Sequence, residues 1–162
     1  RQVMYLSHAA RLKIVAEHGD FLETDDGFFV PRPHIRPLDD WLTDPVSVVE
    51  GFLGTPYLWG GNSYTGIDCS GLVQAGMLAC GLACPGDSDL QQEALGRALS
   101  PYATHVRGDL FFWPGHVAMA VSADRLIHAN GYHSAVAYEP IADCIARIDA
   151  QGEGPLLVVK RL

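Results

Sequence analysis

Short apolar runs separated by polar turn formers mark the first forty residues. They predict β-strands at Val3-Met4-Tyr5-Leu6, Leu12-Lys13-Ile14-Val15-Ala16-Glu17, Phe21-Leu22-Glu23-Thr24 and Phe28-Phe29-Val30. Glu17-His18-Gly19-Asp20 and Asp25-Asp26-Gly27 supply the turns between them. Four such strands make a marginal sheet alone, so this meander is expected to dock on the remainder of the chain. Pro31, Pro33 and Pro37 then interrupt both helix and central-strand pairing, which places a boundary near residues 38–44.

The pattern changes after that boundary. Asp44-Pro45 reads as an N-cap followed by proline at the first helical position, and Val46, Val49, Phe52 and Leu53 recur at helical spacing up to Gly54. A second helix is predicted from Asp68 to Gly81, with Leu72, Val73, Met77 and Leu78 apolar and Asp68 or Ser70 available as cap. A third spans Ser88 to Leu99. Strands follow at Leu110–Trp113, His116–Val121, Leu126–Ala129, Val136–Glu139 and Leu156–Lys160. Helices first and strands afterwards indicate an α+β fold with helices packed on an antiparallel sheet.

With 162 residues the chain suits one main domain and a small appended module. A net charge of −8, with no cluster of Lys and Arg, argues against a nucleic-acid partner. No apolar run is long enough to span a bilayer, and no basic-then-apolar signal segment is visible. The chain starts at Arg1 without Met, as expected of a processed or trimmed piece. Of the cysteines Cys69, Cys80, Cys84 and Cys144, an odd number remains if Cys69 is a free nucleophile, which favours a reducing compartment; a Cys80–Cys84 bridge is the alternative.

Cys69 carries the most chemical information. It stands where the glycine-rich stretch Gly60-Gly61-Asn62-Ser63-Tyr64-Thr65-Gly66 gives way to a helix, so the helix N-terminus is expected to favour its thiolate. A thiol nucleophile needs a base and a group that orients the base. Two of the seven histidines fall on predicted strands, His116 and His128. His116 shares a strand face with Ala118 and Ala120, small residues that leave room for the helix terminus. His128 joins that face only if the hairpin pairing sum is even, for example with Ala120 opposite His128 around a three-residue loop Ala123-Asp124-Arg125. A zinc site built from Cys69, His116 and His128 lacks the paired ligand spacing of structural zinc, so no metal and no cofactor are expected.

Tyr57-Leu58-Trp59-Gly60-Gly61, Gly66-Ile67-Asp68-Cys69-Ser70-Gly71-Leu72-Val73-Gln74, Arg107-Gly108-Asp109-Leu110-Phe111-Phe112-Trp113, Gly115-His116-Val117 and Ile127-His128-Ala129 resemble, in order and spacing, the NlpC-like cell-wall cysteine peptidases. The resemblance covers about residues 45–162. Residues 26–38 are similar to the end of a bacterial SH3-like domain, whose first strands are then expected upstream of Arg1. The implied organisation is an SH3-like segment over residues 1–40 and a papain-like peptidase domain over residues 45–162.

The resemblance implies that Cys69 attacks a carbonyl, His116 acts as base and then acid, and His128 orients His116. It also implies that Tyr57 lies near the oxyanion, while the Cys69 N–H at the helix start is suited to donate to it. Relatives with a preceding SH3-like domain cut the bond between γ-D-glutamate and a diamino acid in murein peptides, often with a free N-terminal L-alanine. Asp68, Ser70 and Ser88 match the positions that hold that amine, and Asp68 and Ser70 are equally suited to capping alone. Soluble murein fragments in the cytoplasm are therefore the expected substrates. A periplasmic or wall-associated place is the alternative if an export signal lies upstream. Two other functions compete: a thiol amidase or acyltransferase acting on another amide, and a non-catalytic wall-binding protein that keeps the fold.

Overall fold

Asp44 caps the first α-helix of the fold. Its carboxylate accepts from the Val46 N–H at 3.0 Å and Pro45 occupies the first turn, so helix α1 runs Pro45–Glu50. Val46, Val49 and Phe52 pack against Leu72, Val73 and Met77 of helix α2, Cys69–Ala79. The two helices meet at Gly76, where a Cβ would stand 2.8 Å from both the Pro45 carbonyl oxygen and Val49 Cγ2. Only glycine permits that approach.

These helices belong to a computed structural model that describes residues 2–162. The N-terminal part forms a three-stranded antiparallel meander of β1 (Ile14–His18), β2 (Phe21–Thr24) and β3 (Phe29–Pro31). Val3–Leu6 forms no strand; its side chains are exposed and Tyr5 approaches Tyr64, with ring centroids 6.1 Å apart. An isolated apolar run without a paired neighbour gains no ladder hydrogen bonds, so apolar content alone does not make it a strand. His8 packs edge-on against Phe52, which ties this segment to the helical layer.

A short hairpin of β4 (Asn62–Ser63) and β5 (Gly66–Ile67) leads into α2, and α3 (Ser88–Ala94) follows. The third helix stops before Leu99 because Leu95 is already extended and Arg97–Ala98 pair as strand β6. The main sheet contains β6, β7 (Leu110–Trp113), β8 (His116–Ala120), β9 (Arg125–Asn130), β10 (Ala135–Pro140) and β11 (Val158–Arg161). Its spatial order is β10-β9-β8-β7-β11-β6, and every pairing is antiparallel. A helix that the sequence pattern did not predict, α4, spans Ile141–Ala150 and returns onto the sheet, so the helices do not all precede the strands.

Two apolar layers cover the sheet. On one face Leu110, Phe112, Val117, Met119, Ile127 and Ala129 meet α1 and α2. On the other, Phe111, Trp113, Ala118, Ala120 and Leu126 meet Ile141, Cys144 and Ile148 of α4. Strand β7 is buried on both faces, as its unbroken apolar sequence requires. Each fully buried large side chain contributes about 1.5–3 kcal/mol.

Candidate active site

Asp68 caps α2 and holds the loop before it. One carboxylate oxygen accepts from the Gly71 N–H at 2.7 Å and from the Ser70 hydroxyl at 3.2 Å, and the other accepts from the Gly60 N–H at 2.8 Å. Cys69 therefore begins the helix with little freedom, buried and with its sulfur at the Val117 N–H. Its thiol is raised above the ordinary value. Burial is the largest cause and the Asp68 charge adds to it, while the N–H groups of Val117, Ser70 and Cys69 oppose the rise without cancelling it. This direction is opposite to the one the helix terminus alone would give. Desolvation and the capping carboxylate outweigh the helix dipole.

His116 and His128 are placed by two hairpins. Pro114-Gly115 forms a two-residue turn that pairs Trp113 with His116, and Gly115 adopts φ +70°, which the turn requires. Met119 pairs with Ile127 and Ala120 with Leu126 around a loop closed by Val121 N–H to Arg125 O at 3.0 Å. The pairing sum is even, as the shared face demands, but the loop is Ser122-Ala123-Asp124 and the frame puts Ala118 opposite His128. His116 and His128 then lie diagonally, and His116 Nε2 is 2.8 Å from His128 Nδ1.

That imidazole pair is on the α4 face, with Ala118 and Ala120, whereas Cys69 belongs to the α2 face. The small residues therefore make room for α4 and not for the nucleophile helix. The link between the two is the Val117 N–H, one residue after His116 at the start of β8, which faces the Cys69 sulfur. Burial pushes the His116 imidazole down to about 3, helped by the charges of His128 and Arg147 and opposed by Glu139. Burial also lowers His128, against the pull of Glu139.

Glu139 and Arg147 complete the line, and neither is among the residues that the sequence motifs single out. Ala137 pairs with His128, so Glu139 lies one diagonal step further on the same face. His128 Nε2 is 3.0 Å from Glu139 Oε2, and Arg147 grips both carboxylate oxygens at 2.8 Å. Burial alone raises the Glu139 carboxyl, but the bonds from Arg147 and His128 win and hold it well below the carboxylate range. Arg147 in turn lies over the Tyr132 ring, 4.5 Å from its centroid. Alternation along Val136–Glu139 is a usable signal for Glu139; Arg147 requires α4.

Atoms of His128, His133 and Glu139 come within 4.8 Å of one another, close enough to hold an ion. A cation there faces the Arg147 guanidinium, which already occupies both Glu139 oxygens. The residues fit a hydrogen-bond chain better than a metal centre.

Tyr57 is half-buried close to Cys69 and Asp68; burial raises its phenol, and the charges of those two residues raise it further. A pocket of about 210 Å³ opens beside the cap, lined by Gly61, Asn62, Asp68, Gln74 and Asp87 among others. Ser70 is buried against Asp68, and Ser88 is the first residue of α3; neither lines this pocket, whereas Asp87 does. A larger hollow of about 610 Å³, lined by His8, Asp44, Phe52 and Tyr64 among others, contains none of the predicted site residues. All four cysteines are free, so no Cys80–Cys84 bridge forms.

Residues 54–147, more than half of the chain, match the NlpC/P60 family. The γ-D-glutamyl-L-lysine dipeptidyl-peptidase of Bacillus subtilis (strain 168) is 36% identical over 138 residues, covering 76% of this chain and 46% of that protein. The peptidoglycan endopeptidase RipB of Mycobacterium tuberculosis is 34% identical over 129 residues, covering 69% of this chain and 52% of RipB. Coverage of the dipeptidyl-peptidase 6 of Lysinibacillus sphaericus is 31%, so the chain spans about half or less of these relatives' lengths. Among solved structures, an NlpC/P60 family protein from Bacillus cereus ATCC 10987 superposes with a TM-score of 0.75 at 25% identity, covering 96% of this chain and 55% of that one. The matched residues include Cys69, His116, His128 and Glu139, and the fold agrees over nearly the whole chain: the protein belongs to the NlpC/P60 family.

Proposed function

We propose that the protein is a cysteine endopeptidase that hydrolyses the γ-D-glutamyl–diamino acid bond of peptidoglycan peptides. The observation that carries this reading is Cys69 at the start of α2, against the peptide after His116, with His116 bonded to His128 at 2.8 Å. His116 takes the thiol proton as the sulfur attacks the carbonyl carbon. The resulting oxyanion is offered the Cys69 N–H and the Tyr57 hydroxyl. Collapse breaks the C–N bond, His116 gives its proton to the leaving amine, and water then hydrolyses the thioester.

The bond itself is suggested by the relatives, two of which are named γ-D-glutamyl-L-lysine dipeptidyl-peptidases. Asp68 and Asp87 at one pocket offer negative charge to an ammonium group, which supports a free L-alanine amine as the recognised end. Ser70 contributes by fixing Asp68, and Ser88 by starting α3 beside Asp87.

Incubation with L-Ala-γ-D-Glu-diaminopimelate is expected to release diaminopimelate, and Cys69→Ala to abolish the release. No cleavage by the wild-type protein, or equal cleavage by Cys69→Ala, overturns the reading. Thiol-dependent cleavage of a different amide, or transfer of the acyl group to an added amine, would favour the amidase or acyltransferase instead. Equal cleavage of the N-acetylated peptide would remove the amine-binding role.

A further inference from the structure

We infer that Glu139, clamped by Arg147, is a positioning residue that sets the tautomer of both imidazoles and so presents an unprotonated His116 Nδ1 to Cys69. The inference rests on the proposed role of Cys69 for its kinetic consequence alone; the tautomers belong to the resting protein.

The chain of hydrogen bonds fixes each proton in turn. Arg147 donates to both oxygens of Glu139, and an ionised carboxylate only accepts. The contact from Glu139 Oε2 to His128 Nε2, 3.0 Å, therefore requires that nitrogen to carry hydrogen. Burial keeps His128 neutral, which leaves its Nδ1 bare. His116 Nε2, 2.8 Å away, must then donate, and a neutral His116 is left with its lone pair on Nδ1. Nδ1 is the ring nitrogen next to the Cγ attachment, nearer than Nε2 to the backbone, and the N–H of the following residue, Val117, faces the Cys69 sulfur.

A purely structural carboxylate is satisfied by the bidentate Arg147 alone. Here Oε2 takes a second donor, and that donor is a fully buried ring whose other nitrogen faces the base. When the thiol proton reaches His116 Nδ1, the new imidazolium stays hydrogen-bonded to His128 Nδ1, and the ionised Glu139 beyond it balances the charge. His133 is the other titratable group beside His128, at a ring-centroid separation of 6.3 Å, and it is engaged with Asn130.

Nitrogen-15 NMR of histidine-labelled wild-type protein at neutral pH tests the inference directly. Both His116 and His128 are expected as Nε2–H tautomers, their signals assigned with His116→Gln and His128→Gln variants. Hydrogen on Nδ1 of either ring overturns the proposal. Glu139→Gln is expected to put His128 into a mixture of tautomers and to lower kcat by roughly 10–100-fold with KM little changed, the range for partners that orient functional imidazoles. Arg147→Lys is expected to keep more of the activity than Arg147→Gln. A folded Glu139→Gln protein with wild-type tautomers and kcat would reduce the pair to a structural role. Absence of hydrolysis in the wild type with the predicted tautomers intact would instead count against the proposed peptidase function.

Discussion

His116 Nε2 lies 2.8 Å from His128 Nδ1, although the residues stand twelve positions apart on neighbouring strands. The contact depends on an even pairing frame and a diagonal offset, so neither ring reaches the other from any adjacent register. His116→Ala is expected to lower kcat/KM by about 10²–10⁴-fold, the usual worth of a positioned acid–base group. His128→Ala should have a smaller effect, with His128→Asn milder still because an amide can accept from His116. Steady-state kinetics on the tripeptide check the ranking, and equal losses for Ala and Asn at position 128 would count against an orienting role.

The raised Cys69 thiol leads to a prediction about reactivity. Burial and the Asp68 charge keep it protonated, so alkylation by iodoacetamide, followed at the Cys69 peptide by mass spectrometry, should be slow at pH 7 and climb beyond pH 9. A reactivity plateau extending down to pH 5 would indicate a preformed thiolate–imidazolium pair instead.

Much of this arrangement is legible in the amino-acid sequence. The Asp44-Pro45 cap, the position of Cys69 in the first turn of α2 and the hairpin strands around His116 and His128 follow from local rules, because capping, turn chemistry and alternation act over a few residues. Val3–Leu6 misleads because a strand needs a partner that composition does not reveal. The face assignment of His116 fails because which side of the sheet receives which helix is decided by α4, whose apolar positions Ile141, Cys144, Ile145 and Ile148 recur at helical spacing yet stand outside the predicted helices. Arg147 is missed with that helix, whereas Glu139 is within reach of the alternation along β10.

Acid stability should follow the lowered groups of this line, among them His116, His128 and Glu139. His116 falls from 6.5 to about 3 on folding, so the unfolded chain takes the proton first; its contribution is complete above pH 6.5 and shrinks as pH falls toward 3. Glu139 is held below its ordinary 4.5, and its contribution is lost as pH drops beneath that value. Thermal melts are expected to be level above pH 7 and to decline steadily below 6.5. His116→Gln should flatten part of the slope between 6.5 and 4.5; an unchanged slope would count against the buried neutral imidazole.

Asp109 is predicted to serve structure. Fully buried, it accepts from the Val106 N–H at 2.9 Å and pairs with Arg161 of β11 at 2.8 Å, while Arg107 two residues earlier binds Asp44 and Glu50 at 2.9 and 2.7 Å. Asp109→Ala leaves a backbone donor unsatisfied and should cost about 1–3 kcal/mol in urea denaturation. The specific activity of the folded fraction should be retained.

Asp87 is expected to act on binding. Asp87→Asn should raise KM roughly tenfold for a peptide with a free amine, as loss of a charge-assisted contact does, and leave kcat unchanged. The same variant should treat the N-acetylated peptide as the wild type does. A parallel loss on both peptides would place Asp87 outside amine recognition.

Because Cys69 is rooted in the α2 layer and the imidazole line in the α4 layer, the sheet stands between them as a partition. The small acidic pocket is bordered by α2 itself and by the loops that precede α2 and α3. Exchange of the loop around Asp87 is expected to leave the imidazole line intact, whereas exchange around Asn62 also disturbs the Gly60 N–H that holds the Asp68 cap beside Cys69.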